Sequence, residues 1–180
     1  MAEVRPMRAD ARRNRDAIVA AARDVFDHDE QLRFDDFAAR AGVGVGTLYR
    51  HFPTREALAA AVYEGEVAAL CDQARDPARS AGEDFDAFLR GFVEYLVAHA
   101  GLGRTLAAVV DPAVLSDGGI RLESTVADLM ARAGIHVADG ASVGAVMIVL
   151  HGIGSTTDRP LWASESRAAV ELLLAGLHRA

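Results

Sequence analysis

Lysine is missing from this 180-residue chain, so all 19 of its basic side chains are arginine. Cys71 is its one cysteine, which excludes an intramolecular disulfide and fits a reducing compartment such as the cytoplasm. A lone thiol of this kind is more often a small buried hydrophobe than a redox sensor. Aromatic residues make up only 6%, and the chain lacks alternating strand patterns and repeats. Because its plentiful alanine favours helix, we expect an all-α fold of about nine helices.

Basic charge is also in short supply, since the formal net charge is -7. The deficit is unevenly distributed. Residues 1–63 hold ten arginines and ten acidic residues, whereas residues 64–180 hold nine arginines and sixteen acidic residues. The first fifteen residues alone hold five arginines against two acids. The basic surface available to a polyanion is therefore a local face of an amino-terminal part whose net charge is zero. We expect nonspecific binding to nucleic acid to be weak for this reason.

Several kinds of site find little support in this sequence. Two histidines never occur at i, i+3 or i+4, so no metal site is expected. A pair of catalytic carboxylates is not apparent either, and neither an enzyme nor a cofactor is expected. Residues 140–157 carry no charged side chain, but their four glycines and His151 make a poor membrane span. A helix buried between subunits explains this segment better, and the polar amino terminus does not look like a signal peptide.

Two short amphipathic segments around a glycine are the most informative pattern. Phe34, Phe37, Ala38 and Ala41 recur at helical spacing, and Gly42 then suits the left-handed position that ends a helix. In the second segment Leu48 and Phe52 are four residues apart and are predicted to face inward. Helix, short turn and helix is the helix-turn-helix pattern, whose second helix enters the DNA major groove.

The residues from Phe34 to Leu58 resemble the DNA-binding domain of the TetR family of regulators. The resemblance rests on Gly-Thr-Leu-Tyr-Arg-His-Phe at 46–52, followed by Arg55, and extends over about residues 10–70. Two positions depart from the family pattern. The family often has serine where this chain has Gly44, and lysine where it has Arg55. The resemblance implies a flexible basic arm (1–9), a DNA-binding domain (10–70, with the helix-turn-helix at about 33–52) and a helical effector-binding and dimerisation domain (71–180).

The expected helix boundaries follow from glycine, proline and capping residues. Helix one is predicted from Ala11 to Asp27, and Thr54 is a natural N-cap for a fourth helix that ends near Gln73. Gly101 and Gly103 are expected to end a fifth helix, and Pro112 to end the short helix after it. The glycines at 118 and 119 would open the next one.

Candidate DNA contacts lie mostly in the second segment. The resemblance implies phosphate contacts for Thr47, Tyr49, His51 and Arg55, and places Gly44, Val45 and Arg50 nearest the base edges. Chemistry agrees for Arg50, whose guanidinium can fork onto guanine, and for Val45, which can touch a thymine methyl. Two interpretations stay open for Arg12 and Arg13, namely phosphate contact or a solvated basic face. Arg5 and Arg8, in the predicted flexible arm, could enter a minor groove.

The resemblance implies that the carboxy-terminal part binds an effector, and its apolar helices predict contact with a second copy of the chain. Aromatic, methionine and histidine side chains on apolar helix faces are candidates for lining an effector pocket, although each is also an ordinary core residue: Phe88, Phe92, Tyr95, His99, Met130, Met147, His151 and Trp162. The uncharged segment and the last, leucine-rich helix are the predicted homodimer surface, with Val143, Met147, Leu150, Val170, Leu173, Leu174 and Leu177 as its members.

Together these observations predict a cytoplasmic protein that binds a palindromic double-stranded DNA operator, and the resemblance implies a repressor that a small-molecule effector releases from it. Two alternatives stay open: a DNA-binding regulator without a ligand, controlled by a partner protein or constitutively bound, and an activator of transcription. A nucleotide-binding enzyme is a remote alternative suggested by the glycines at 42, 44 and 46. The phosphate fingerprint requires G-x-G-x-x-G after a strand, whereas the preceding segment here has helical period.

Overall fold

The computed structural model describes residues 4–28, 30, 32–74, 80–135 and 142–177, with side chains from residue 9 onward. Within these ranges the chain forms helices and no strand, which confirms the all-α prediction. The helices are α1 (Val4–Asp27), α2 (Asp36–Arg40), α3 (Val45–His51), α4 (Arg55–Asp72), α5 (Ala81–Ala98), α6 (Ala100–Val109), α7 (Pro112–Arg132), α8 (Val143–Gly154) and α9 (Trp162–Leu177).

Several boundaries differ from those expected. Helix α1 begins at Val4, so the described part of the predicted flexible arm is helical; Arg5 and Arg8 lie in it, and their side chains fall outside the described residues. The glycines at 101 and 103 lie inside α6, and those at 118 and 119 lie inside α7. Pro112 begins α7. Proline is tolerated there because an N–H group in the first helical turn has no acceptor within the helix. The Thr54 cap is confirmed, since its Oγ1 accepts from the Ala57 N–H at 3.2 Å.

The chain divides into two compact units that are not the predicted pair of domains. Unit 1 comprises Met1–Gly65 and Gly101–Leu115, and unit 2 comprises Glu66–Ala100 and Ser116–Ala180. The prediction placed one boundary at 70/71 and treated each domain as continuous in sequence, whereas each of these units is made of two segments. Instead, α6 supplies the buried side chains Leu102, Leu106 and Val110 to the core of unit 1.

Contacts with backbone carbonyl oxygens explain why residues 101–115 belong to unit 1. The Thr105 hydroxyl donates to the Phe26 carbonyl oxygen at 3.2 Å. The Tyr63 hydroxyl donates to the Leu115 carbonyl oxygen at 3.0 Å, and burial raises the pKa of this phenol. Gly101 lies against the last residue of α1, because a Cβ built on it would be 2.2 Å from the Asp27 carbonyl oxygen. The rest of this core comes from apolar faces of α1–α4, with Ile18, Phe26, Phe37, Leu48 and Leu58 fully buried.

Unit 2 packs α5 and α7–α9 around a separate apolar core. Helix α5 begins with a capping box, in which Ser80 and Glu83 satisfy each other's backbone N–H groups. The Trp162 indole N–H donates to the Ile153 carbonyl oxygen at 2.7 Å, which ties the start of α9 to the end of α8. Among the described residues, each helix is too short or too polar to span a bilayer.

Acid is expected to weaken the contact between α5 and α9 slightly. The guanidinium groups of Arg90 and Arg167 hold the pKa values of Glu171 and Glu94 below their ordinary 4.5. A carboxylate whose pKa falls on folding contributes stability above its unfolded pKa and loses it as pH falls through the folded value. The temperature at the midpoint of thermal unfolding, followed through Trp162 fluorescence, should therefore fall as the pH is lowered below 4.5. Arg167→Met should make this fall smaller. An identical pH profile in the variant would contradict the assignment.

Candidate nucleic-acid interface

The turn between α2 and α3 is built around Gly42. Its φ of +67° lies in the left-handed region that glycine adopts without steric cost. The Val43 N–H then donates to the Ala38 carbonyl oxygen at 2.9 Å, which folds the chain back against α2. Helix α3 follows with Gly44 as its N-cap, and the Gly44 carbonyl oxygen accepts from the Thr47 N–H at 2.8 Å. The predicted helix, turn and helix are therefore confirmed.

Helix α3 separates an inward face from an outward one. Leu48 and the following Phe52 are buried, as predicted. Val45 and Tyr49 leave 44% and 47% of their surface exposed, and Arg50 is exposed beside them. A Cβ on Gly44 or Gly46 would meet nothing within 4 Å. Packing inside the chain therefore does not require glycine there, and the two bare positions leave room for an outside molecule to approach the backbone.

The Arg50 guanidinium folds back along its own helix. Nε donates to the Gly46 carbonyl oxygen at 2.9 Å, and Nη2 donates to the Thr47 hydroxyl at 3.2 Å. Both bonds lie at an exposed surface, where water competes with them and their net stabilisation is about 1 kcal/mol or less. Arg50 can therefore exchange them for acceptors on a bound polyanion, with Thr47 on the same side of α3.

Tyr49 is held by the two residues that precede α2. Its hydroxyl donates to the Asp35 carboxylate at 2.8 Å, and its ring meets the Phe34 ring edge-on at 5.3 Å. The hydrogen bond to Asp35 is the main reason that the pKa of Tyr49 is raised. Sequence reasoning missed Asp35, because a bond across fourteen residues leaves no local pattern.

The other predicted contacts fall into different settings. His51 is half-buried at the end of α3 with its ring 6.3 Å from that of Phe52. Arg12 and Arg13 are exposed on α1, and Arg13 pairs with Asp10. Arg15 was not predicted, yet its guanidinium lies 5.5 Å from the centre of the Phe52 ring.

Arg55 does not extend outward as the resemblance implied. Its Nη1 donates to the Leu32 carbonyl oxygen at 2.8 Å in a part-buried position. The guanidinium carbon also lies 5.3 Å from the ring centre of Phe26 and 5.2 Å from that of Phe37. The charge of Arg55 is therefore directed into unit 1, and its phosphate contact stays a prediction.

In unit 2, the predicted pocket residues are mainly core residues. Side chains buried in the apolar core account for five of the eight: Phe88, Phe92, Met130, Met147 and Trp162. Tyr95 and His99 are half-buried with ring centres 4.9 Å apart, and the Tyr95 hydroxyl donates to Glu66. His151 is exposed, and its Nδ1 is 2.8 Å from the Met147 carbonyl oxygen.

A surface groove of about 250 Å³ in unit 2 lies elsewhere, between α5 and α9. Val93 and Val170 line it together with the ion pairs Arg90–Glu171 and Arg167–Glu94. The eight predicted pocket residues do not contribute to its lining.

The members of the predicted dimer surface differ in their exposure. Burial within their own chain makes most of the predicted members unavailable to a partner: Met147, Leu150, Val170, Leu174 and Leu177. Val143 and Leu173 are half-buried. The large apolar side chains that α8 and α9 leave exposed are Ile148 and Leu172, at 74% and 75%.

Comparisons with known proteins agree with this geometry. Residues 18–62 match the family profile described as bacterial regulatory proteins, tetR family. A TetR transcription regulatory protein from Mycobacterium vanbaalenii is 31% identical, with a TM-score of 0.71 over 95% of this chain and 98% of that one. The TetR transcriptional regulator SCO0520 from Streptomyces coelicolor is 35% identical, with a TM-score of 0.66 over 91% and 97% of the two chains.

A curated relative, the HTH-type transcriptional regulator SAR0097 from Staphylococcus aureus (strain MRSA252), is 36% identical over 66 residues. The match spans 35% of this chain and 35% of that protein. It therefore extends over only about a third of the relative's length.

Proposed function

This chain belongs to the TetR family of bacterial regulatory proteins, and on that premise we propose that it is a cytoplasmic repressor released from a palindromic operator by a small-molecule effector. The observation that carries the DNA-binding part is the outward face of α3, where Val45, Tyr49 and Arg50 are exposed while Leu48 is fully buried. Proteins of this family are generally transcription factors rather than enzymes.

On the operator, Arg50 releases its bonds to α3 and donates two hydrogen bonds to O6 and N7 of a guanine. Val45 touches a neighbouring thymine methyl, and the bare Gly44 lets the backbone come close to the groove. Thr47 and Tyr49 donate to phosphate oxygens on either side, since their hydroxyls lie on the same short helix. His51, Arg12 and Arg13 add contacts to the flanking backbone, which fix the register but carry no sequence information.

One recognition helix reads too few base pairs for useful specificity. A two-fold dimer reads two half-sites about 34 Å apart. We place the dimer contact on the outward faces of α8 and α9, because Ile148 and Leu172 are large apolar side chains that their own chain leaves uncovered. Val143 and Leu173 border this contact.

The effector acts by shifting a population. A ligand that binds more tightly to the form with wrongly spaced half-sites lowers operator affinity by the ratio of its two binding constants. Tyr95 and His99 are the best placed of the predicted pocket residues to meet such a ligand, because they are polar and half-buried next to each other.

The packing of unit 2 favours a second candidate, a DNA-binding regulator without a small-molecule ligand. Five of the eight predicted pocket residues are buried in the core. A regulator of this kind would be controlled by a partner protein or bind constitutively. Measuring the melting temperature and the operator affinity with each member of a metabolite collection distinguishes the two candidates. If no metabolite changes either quantity, the second candidate is favoured.

Operator binding is tested by fluorescence anisotropy with a duplex that the wild-type protein selects from a randomised pool. We expect two protomers per duplex and a loss of about 1–3 kcal/mol of base discrimination in Arg50→Met. Arg121→Met is the matched control, because it removes the same charge from an exposed arginine of unit 2. Failure of the wild type to prefer any sequence would overturn the proposed function. Equal discrimination by Arg50→Met would overturn the role of Arg50.

A further inference from the structure

We propose that Arg55 is a positioning residue that fixes the helix-turn-helix in its DNA-reading geometry, rather than a residue that contacts phosphate. The inference rests on the proposed DNA binding. It starts from the placement of one guanidinium, which is held by groups from three different stretches of unit 1: Phe26 in α1, Leu32 in the connection after it, and Phe37 in α2.

The two rings form a preformed platform for this group. Phe26 and Phe37 are 1% and 0% exposed, and their ring centres are 5.7 Å apart with an angle of 56° between the planes. A guanidinium within about 6 Å of a ring centre is attracted by the ring's electron-rich face, and the attraction grows when water is excluded. Arg55 satisfies this distance to both rings, while one of its N–H groups reaches the Leu32 carbonyl oxygen.

The position of Arg55 in its own helix supports the same conclusion. It is the first residue of α4, where the positive end of the helix dipole disfavours a cation. A cation therefore gains nothing from the helix at this position, and its tertiary contacts must compensate. Those contacts tie the start of α4 to α1 and α2.

The consequence for DNA binding follows from the size of α2. This helix has five residues, too few to be stable without tertiary contacts. Phe37 is one of its two buried residues, and α3 is attached to α2 by the turn at Gly42. A change in how Phe37 is held would therefore alter the angle at which α3 presents Val45 and Arg50.

Lysine cannot reproduce this arrangement. Its ammonium is a strongly hydrated point charge, whereas the guanidinium is flat and can stack and donate at the same time. A phosphate contact, by contrast, needs only the charge. Arg55→Lys and Arg55→Met thus separate the two roles, since the first keeps the charge and the second removes it.

The test measures duplex affinity across about 50–200 mM salt, at a temperature where circular dichroism shows each variant fully folded. We expect both variants to bind the selected duplex about tenfold more weakly than wild type. We expect the slope of log affinity against log salt to be unchanged in both, because no phosphate contact is lost. Arg121→Met should match wild type in affinity and slope.

Three results would overturn the proposal. Wild-type affinity in Arg55→Lys would show that charge alone suffices. A slope reduced by about 0.9 in Arg55→Met would show a phosphate contact. Wild-type affinity in folded variants that merely melt earlier would show a purely structural role.

Amide hydrogen exchange without DNA separates this inference from the proposed function. Arg55→Lys should raise exchange in peptides from α2 and α3 but not in peptides from α9, and unchanged exchange would also overturn the inference. If the wild-type protein selects no DNA sequence, the proposed function is overturned. The exchange result then tests by itself whether Arg55 positions α2 and α3.

Discussion

Replacing Gly101 with alanine is expected to destabilise unit 1 by about 1–3 kcal/mol, the usual cost of forcing an extra methyl group into a packed site. The new Cβ would lie 2.2 Å from the Asp27 carbonyl oxygen and 3.2 Å from its carbon. These are backbone atoms at the end of α1, so a side-chain rotation cannot relieve the clash. Either α6 must move away from α1, or α1 must unwind at its last turn.

Chemical denaturation followed by circular dichroism measures this effect. Gly103→Ala is the matched control, because Gly103 is exposed in the same helix and its Cβ would meet nothing within 4 Å. That substitution should stabilise the protein by about 0.4–1 kcal/mol, since alanine restricts the unfolded chain at no cost to the helix. Equal free energies of unfolding for the two variants would show that the contact between α6 and α1 does not constrain the fold.

Gly101 also shows what sequence alone could not reveal. As one of two glycines near a predicted helix end, it was interpreted as a helix breaker, yet it lies inside α6. The spacing of Leu106 and Val109 is that of one helix face, because neighbouring turns determine this pattern. It could not reveal that this face packs against a segment more than forty residues earlier in the chain. Long-range packing of this kind decided the division into units, which differs for that reason from the boundary at 70/71 expected from the sequence.

The helix-turn-helix was predictable because its determinants are local. Leu48 and Phe52 as a buried pair four residues apart, a glycine with positive φ and a capping threonine all lie within about twenty residues. The side-chain partners were not predictable. Tyr49 bonds to Asp35 and Arg55 to Leu32 across fourteen and twenty-three residues, and one sequence offers no signal that selects these partners from others of the same chemistry.

A similar limit applies to α8 and α9. Both helices are apolar over much of their circumference, so the sequence could not distinguish the face that packs inside the chain from the face that a partner covers. Prediction chose Met147 and Leu174, which are buried in the core. The structure instead leaves Ile148 and Leu172 uncovered, and this difference leads to a direct test of the dimer.

Leu172→Arg is expected to convert a dimer into a folded monomer. In a two-fold interface each subunit contributes the same patch, so one substitution places two new charges in the contact. Burying a charge without a partner costs about 3–5 kcal/mol, which lowers the association constant by about 100-fold or more. Sedimentation equilibrium should give the mass of one chain, and circular dichroism should show wild-type helix content because Leu172 is 75% exposed in the single chain.

Ile120→Arg is the matched control, since Ile120 is an apolar residue of α7 that is 59% exposed in the same unit. It should remain dimeric and bind the selected duplex as wild type does. The monomeric Leu172→Arg should lose affinity for the full palindrome but retain the weak affinity of wild type for a single half-site, because α3 is unaltered. Dissociation of both variants would indicate a general effect of surface charge. A dimeric Leu172→Arg would instead show that the subunits meet through a different face, and the spacing of the half-sites would then have to follow from that face.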